Sequence, residues 1–217
     1  MGRAVVDLDV KSIQDLPFRC RGCVYWELSP ADRALAHEHN ADFEKEAWCS
    51  ELSLLWGAPG RVVYVDHRPA GFALAGPIES FPRARFFPAK VSKDALFLAT
   101  IHVMSEYQGQ GIGKMLVQQI CKMAKEHGKR AVECFADKAW AGYDCVVPAD
   151  FCSAIGFRIK RDHLRFPLMR IDVRSLAKVT ESVEAAVESF LESLKVPEVA
   201  TRPLPYVQGN PLFRVEG

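Results

Sequence analysis

The sequence predicts an α/β domain built on a mixed, mostly antiparallel sheet with one central parallel pair and helices on its flanks. Three observations predict it. Residues 95–104 form a strand apolar on both faces, and an amphipathic helix and a second strand over 130–136 follow. Strand–helix–strand within one sheet requires parallel neighbours joined by a right-handed crossover. Upstream, two short apolar strands over 61–66 and 70–76 flank His67-Arg68-Pro69, the spacing of an antiparallel hairpin. Downstream, 157–160 and 164–173 read as a terminal pair of strands.

The remaining elements follow from local signals. Residues 4–10 make a half-exposed first strand, with Asp7 and Asp9 breaking its apolar run. The segment from Pro17 to Leu28 is rich in cysteines and aromatics and carries no clear period. At Ser29-Pro30-Ala31-Asp32 a capping serine, a proline at the first helical position and an acid in the first turn start a helix. It continues, with a break near Asn40, to about Trp56, and its expected apolar stripe is Leu35, His39, Phe43, Ala47, Leu52 and Leu55. A long connection over 77–94 carries three phenylalanines and four basic residues, a length expected of a functional or mobile loop.

The helix after residue 111 places Ile112, Leu116, Ile120 and Met123 on one face and ends at Gly128. A short helix over 150–155 closes on Gly156. A further helix over about 180–195 carries Val183, Val187, Phe190, Leu191 and Leu194 as its stripe, before a proline-rich tail. The expected division is residues 1–175 as the main domain and 176–217 as a helix and tail. The latter would pack on that domain or on a partner, a second copy of the chain being one candidate.

Composition narrows the function classes. With 28 basic and 27 acidic residues the net charge is +1, which argues against a nucleic-acid-binding surface. No apolar run approaches a membrane span, and the N-terminal residues lack a signal-peptide core, so a cytoplasmic protein without membrane contact is expected. Seven cysteines do not suggest a disulfide framework. Cys20 and Cys23 alone have motif spacing, and a single pair is weak grounds for zinc, so no metal is expected.

The most informative stretch runs from Leu98 to Lys114, where Gly109, Gly111 and Gly113 alternate between a buried strand and a helix. A glycine turn at a helix N-terminus offers unpaired backbone N–H groups and partial positive charge, a site for phosphate. The dinucleotide fingerprint needs Gly-x-Gly-x-x-Gly and an acid at the end of the next strand about twenty residues on, whereas the spacing here is Gly-x-Gly-x-Gly and the strand expected over 130–136 does not end with that acid. The nucleotide P-loop needs an earlier glycine and a Ser or Thr after the lysine, where this chain has Gln108 and Met115.

Residues Val103-x-x-x-Tyr107-Gln108-Gly109-Gln110-Gly111-Ile112-Gly113-Lys114 resemble the acyl-CoA signature Gln/Arg-x-x-Gly-x-Gly/Ala of the GNAT N-acetyltransferase superfamily. Phe151 to Gly156-Phe157 is similar to that family's second landmark, a short helix ending in Gly-Phe. The resemblance covers roughly residues 60–170. It implies a sheet splayed between the strands over 95–104 and 130–136, with the pantetheine arm of acetyl-CoA in the gap on the backbone of Ile101 and Val103. The backbone from Gln108 through Gly109, Gln110, Gly111, Ile112 and Gly113 to Lys114 would cradle the pyrophosphate. The implied activity is acetyl transfer to a primary amine of a small molecule or peptide.

Such transfer needs a neutral amine, an oxyanion donor and a proton for the departing thiolate. The resemblance assigns the oxyanion to a backbone N–H near Val103, and the family's acid to a tyrosine whose position here is Cys152. Tyr143 and Tyr107 are other phenols that could serve. His102 is the foremost base candidate, with a core histidine as the competing reading, and Glu79, Glu106 and Glu133 as alternatives. The acceptor site is expected among the helices over 29–56 and the loops 77–94 and 137–150, with Trp48, Trp56, Phe81, Phe86, Phe87 and Trp140 as aromatic candidates. Arg83 and Arg85 could meet an acidic group. The missing tyrosine also keeps open a non-catalytic acyl-CoA sensor.

Overall fold

The computed structural model describes residues 2–140 and 145–174. The chain divides into a unit of residues 1–179 and a second unit of 180–217, and the second, with the helix expected over 180–195, lies outside the described residues. In chain order the elements are β1 (Arg3–Asp7), α1 (Phe18–Arg21), α2 (Pro30–His39), α3 (Ala41–Leu55), β2 (Gly60–Val65), β3 (Arg68–Gly76) and β4 (Ala95–Val103). There follow α4 (Ile112–Glu126), β5 (Ala131–Asp137), β6 (Val147–Pro148), α5 (Ala149–Ile155), β7 (Arg158–Arg161) and β8 (Leu168–Asp172).

The sheet order is β1-β2-β3-β4-β5-β8-β7, with β6 alongside β5. Pairing is antiparallel except at β4–β5 and β5–β6. The β2–β3 hairpin turns on Asp66 and His67, both at positive φ, the geometry of a two-residue turn that matches strand twist. Along β4 the side chains alternate between two cores. Leu96 and Leu98 face Ile112, Leu116 and Ile120 of α4, while Phe97 and Ala99 face Trp26, Cys49 and Phe81 on the other side of the sheet. Burying each large side chain of the α4 face contributes about 1.5–3 kcal/mol, enough to fix the crossover helix over β3 and β4.

The sheet opens at its centre. β4 and β5 pair only at Ala95–Ala131, Leu96–Val132 and Phe97–Glu133. Just beyond, the β3–β4 register slips between Leu74 and Ala75, which oppose Thr100 and Leu98 and leave Ala99 as a bulge. A bulge bends its strand and raises its twist, so β4 swings away from β5. The edge of β5 that β4 abandons is taken up by β6, at Ala136–Val147 and Asp137–Pro148.

The N-terminal helices differ from expectation. The break is at Asn40, whose side chain accepts from the Phe43 N–H at 3.1 Å and starts α3 afresh, while Ser29 caps α2. That restart resets the helical phase, so the expected stripe fails. Leu35, Phe43 and Leu55 are exposed, as is Ala47, and only Leu52 is buried; the His39 side chain lies outside those described. The inward face of α3 is instead Lys45, Cys49 and Leu52, spaced by four and three. The loop over 77–94 is packed rather than free: Phe81 is fully buried between two 3-10 turns, and Phe87 stacks on Trp26 and Phe135.

Candidate active site

The glycine turn and the splay belong to one site. Gly109 and Gly111 have φ of 73° and 81°, and a Cβ built on either would meet no atom within 4 Å. That backbone is therefore left-handed, which glycine alone adopts at little cost, and open to a ligand. The first helical bond of α4 runs from the Met115 N–H to the Gly111 carbonyl at 3.0 Å, so the amides of Ile112, Gly113 and Lys114 have no intrahelical acceptor. Gly113 serves a different need, since a Cβ there would come within 2.6 Å of the Phe151 ring.

Backbone direction on β4 can be followed from a single bond. The Met104 N–H donates to the Ala70 carbonyl of the β3 side at 3.0 Å. Polar groups alternate sides along an antiparallel strand, so His102 turns its backbone to β3, while Ile101 and Val103 turn theirs to the gap. The Gln108 side chain closes back on the Val103 carbonyl at 3.3 Å.

A cavity of about 940 Å³ runs from this turn through the splay. It is lined at one end by Gln108, Gly109, Gly111, Ile112, Gly113 and Lys114, along its length by Thr100, Ile101, His102 and Val103, and at the far end by the Pro17–Glu27 segment. The structure thus brings together all the residues expected to bind the coenzyme except Gln110. That residue lies outside the lining, its amide donating to the Glu106 carbonyl and its own carbonyl accepting from Arg3.

The far end is a chamber to which the helices over 29–56 and the loop 137–150 contribute as expected, whereas its wall from Pro17 to Glu27 was missed by sequence reasoning. Tyr25, Trp26, Glu27, Lys45, Trp140 and Cys145 line it, together with Cys20 and Cys23. Glu27 and Lys45 form an ion pair with both side chains 1% exposed, and Lys45 also donates to the Cys23 carbonyl at 3.0 Å. A lysine inside an otherwise inward-facing helix stripe was the available signal, but its partner lies in the segment without a period. Of the aromatics expected at the acceptor site, Trp140 lines the cavity, Phe81 and Trp48 belong to the core, Phe86 is exposed, and Trp56 stacks on His127. Arg83 lies over the Tyr25 ring at 4.6 Å.

The candidate acids and bases separate clearly. His102 lines the cavity with its ring 5.8 Å from that of Phe72, and desolvation holds its pKa below the ordinary histidine value. Glu133 is fully buried and already engaged. Burial pushes its carboxyl up, but the bonds from Lys160 at 2.6 Å, Arg170 at 2.9 Å and the Ser92 N–H at 2.9 Å together outweigh it and hold it below the usual range. Glu79 and Glu106 are exposed and are not among the lining residues.

Cys152 requires a correction. Its thiol is fully buried, 3.6 Å from that of Cys134, and the residue is not part of the cavity lining. The α5 residues that face the cavity are Phe151 and Ile155, because the helix turns Cys152 onto β5 instead. Tyr107 lines the glycine end, and Tyr143 lies outside the described residues. Among the described residues no group of three or more His, Cys, Asp or Glu is arranged to hold a metal ion, and no helix is long and apolar enough to cross a membrane.

Comparison with known proteins agrees with this architecture. The acetyltransferase (GNAT) family profile matches residues 21–142, more than half of the chain, and the chain belongs to that family. The fold is similar to that of PaiA N-acetyltransferase from Thermoplasma acidophilum, solved in complex with coenzyme A, with a TM-score of 0.53, 16% identity and coverage of 79% of this chain and 99% of that one. An N-acetyltransferase from Staphylococcus aureus Mu50 gives 0.51 at 15% identity, covering 80% and 99%. YncA from Salmonella typhimurium, solved with acetyl-CoA, gives 0.50 at 14% identity, covering 80% and 95%. At these identities the likeness speaks to the fold. No curated protein matches the sequence.

Proposed function

We propose that the protein transfers an acetyl group from acetyl-CoA to a primary amine of a small molecule or peptide, in the cytoplasm. One observation carries this reading. A single cavity joins an amide-lined, positively polarised turn to a chamber lined by aromatic and charged side chains, and passes along an unpaired strand edge between them. An extended pantetheine arm needs such an edge, the pyrophosphate needs the amides, and an amine needs a sheltered place beside the thioester.

The residues supply the steps as follows. Amides of Ile112, Gly113 and Lys114, with the open backbone of Gly109 and Gly111, hold the pyrophosphate. Ile101 and Val103 pair with the pantetheine amides, and a backbone N–H at this edge faces the oxyanion. His102, a solvent-accessible residue of the cavity wall whose partial desolvation lowers its pKa, takes the proton from the acceptor ammonium. Glu27 is less suited as base because Lys45 already occupies it. Cys152, buried against Cys134 and outside the cavity lining, is not given the role of acid.

The same absence of a phenol at Cys152 supports a second reading, an acyl-CoA-binding protein without turnover. Thiol release from acetyl-CoA across a panel of primary amines separates the two. The transferase reading expects amine-dependent release on at least one acceptor class; tight acetyl-CoA binding with no release on any amine would favour the sensor.

A further inference from the structure

The chamber brings together two cysteines that the proposed chemistry does not use. Cys23, from the segment after α1, and Cys145, from the chain just before β6, are 122 residues apart in sequence, and their sulfur atoms are 3.4 Å apart. Both are half-buried and both line the cavity. They belong to two segments of the cavity lining that are already tied together, since the Trp26 indole N–H donates to the Cys145 carbonyl at 2.9 Å.

We infer that Cys23 and Cys145 are a redox pair, converted by hydrogen peroxide into a disulfide that narrows the acceptor end of the cavity. A disulfide holds its sulfurs roughly 2.05 Å apart, so the two segments must approach from the present contact when the bond forms. The glycine end is built from other residues and stays as it is. The narrowing of a substrate chamber rests on the transferase reading, whereas formation of the bond does not.

The chemistry balances with peroxide as the sole oxidant. The Cys23 sulfur attacks one peroxide oxygen, the O–O bond breaks, and the hydroxide released takes up the Cys23 proton as water, leaving Cys23 as a sulfenic acid. The Cys145 sulfur then attacks the Cys23 sulfur. The S–S bond forms, the S–O bond breaks, and the hydroxyl leaves with the Cys145 proton as a second water. Each sulfur gives up one electron, and both peroxide oxygens are reduced.

The surroundings favour Cys23 as the sulfur that reacts first. The hydrogen bond shared with the Cys145 thiol lowers Cys23 to about 6, against the opposing effects of burial and of Glu27, while Cys145 itself is pushed up. Lys45 lies beside them but is paired with Glu27. Cys20, also in the cavity wall, is pushed up to about 11 by burial and stays a thiol. The molecule carries its own control. Cys134 and Cys152 are 3.6 Å apart but fully buried in the core, outside the cavity, and Cys134 is held well above the ordinary thiol range by its bond to Cys152 and by burial.

The test is disulfide mapping of the full chain after stoichiometric hydrogen peroxide, with the remaining thiols blocked. The expected result is loss of two of the seven thiols, one cross-linked peptide joining Cys23 to Cys145, and reversal by dithiothreitol. In Cys145→Ser, dimedone should instead trap the sulfenic acid on Cys23. A Cys20–Cys23 or Cys134–Cys152 link, or no link at all, would overturn the assignment. The oxidised protein should keep its acetyl-CoA affinity in calorimetry and lose about tenfold or more in turnover on any amine that the reduced protein acetylates. Full turnover by the cross-linked protein would refute the narrowing. A reduced protein inactive on every amine, with the link formed, would count against the transferase reading and leave the disulfide standing.

Discussion

The two ends of the cavity are built by opposite means. The glycine end is almost entirely backbone: Gly109 and Gly111 at positive φ, then the first amides of α4, with no side chain filling the space above them. The chamber end is almost entirely side chain, with a buried Glu27–Lys45 pair, Trp26 and Tyr25, and three thiols. A backbone site recognises what many ligands share, here a pyrophosphate. A side-chain site distinguishes one ligand from another. In the proposed function this difference corresponds to coenzyme recognition at one end and acceptor choice at the other, with β4 between them.

Substitutions along that axis should separate binding from turnover. The largest effect is expected at His102→Ala, midway along the cavity: turnover falls by about 10²–10⁴-fold, the range for loss of a general base, with acetyl-CoA affinity retained. Because partial desolvation in the cavity wall lowers the His102 pKa from 6.5, the acid limb of the wild-type kcat/KM profile should lie below pH 6.5, with the rate rising with pH through it, and that limb should vanish in the variant. Steady-state rates from pH 5 to 9 check both. An unchanged limb would return His102 to the role of a strand residue.

Next in size is Lys45→Met, which leaves the Glu27 carboxylate buried without its partner. Removing one member of a buried pair costs about 3–5 kcal/mol, read as a lower midpoint in urea. Glu133→Gln probes the same physics away from the cavity, beneath Lys160 and Arg170, and should cost a similar amount of stability without altering turnover per folded molecule. The folded Glu133 pKa lies below its unfolded value, so its contribution to stability is fully present above the unfolded pKa of about 4.5. It is lost as pH falls through the folded value. The acid limb of the wild-type stability curve should therefore be steeper than that of Glu133→Gln.

A smaller effect is expected at Gly113→Ala, where the new Cβ would press the Phe151 ring from 2.6 Å and force it toward the cavity. Overpacking of this kind costs about 1–3 kcal/mol. Thermal melts, with acetyl-CoA titration beside them, would show whether the displaced ring also obstructs the coenzyme.

The same contrast explains what could be read from the sequence. The parallel crossover, the hairpin at Asp66–His67 and the glycine turn depend on residues close in sequence, where periodicity and backbone freedom leave a signature. Ile112, Leu116, Ile120 and Met123 are all buried as their spacing required. The chamber depends on contacts that no local pattern encodes. Glu27 meets Lys45 across 18 residues and Cys23 meets Cys145 across 122. Asn40 restarts the helix and turns Lys45, Cys49 and Leu52 of α3 inward, a phase that the continuous apolar pattern does not carry. Cys152 was aligned with the family tyrosine by position alone, and α5 turns it into the core against Cys134.

The central claim is that the glycine turn is the coenzyme end of this cavity. Calorimetric titration of acetyl-CoA into the wild type and into Gly111→Glu tests it most directly. The open space above Gly111 would then hold a carboxylate where the pyrophosphate is proposed to sit, and measurable binding should be lost while the fold, followed by circular dichroism, is kept. Equal affinity in a folded variant would contradict it.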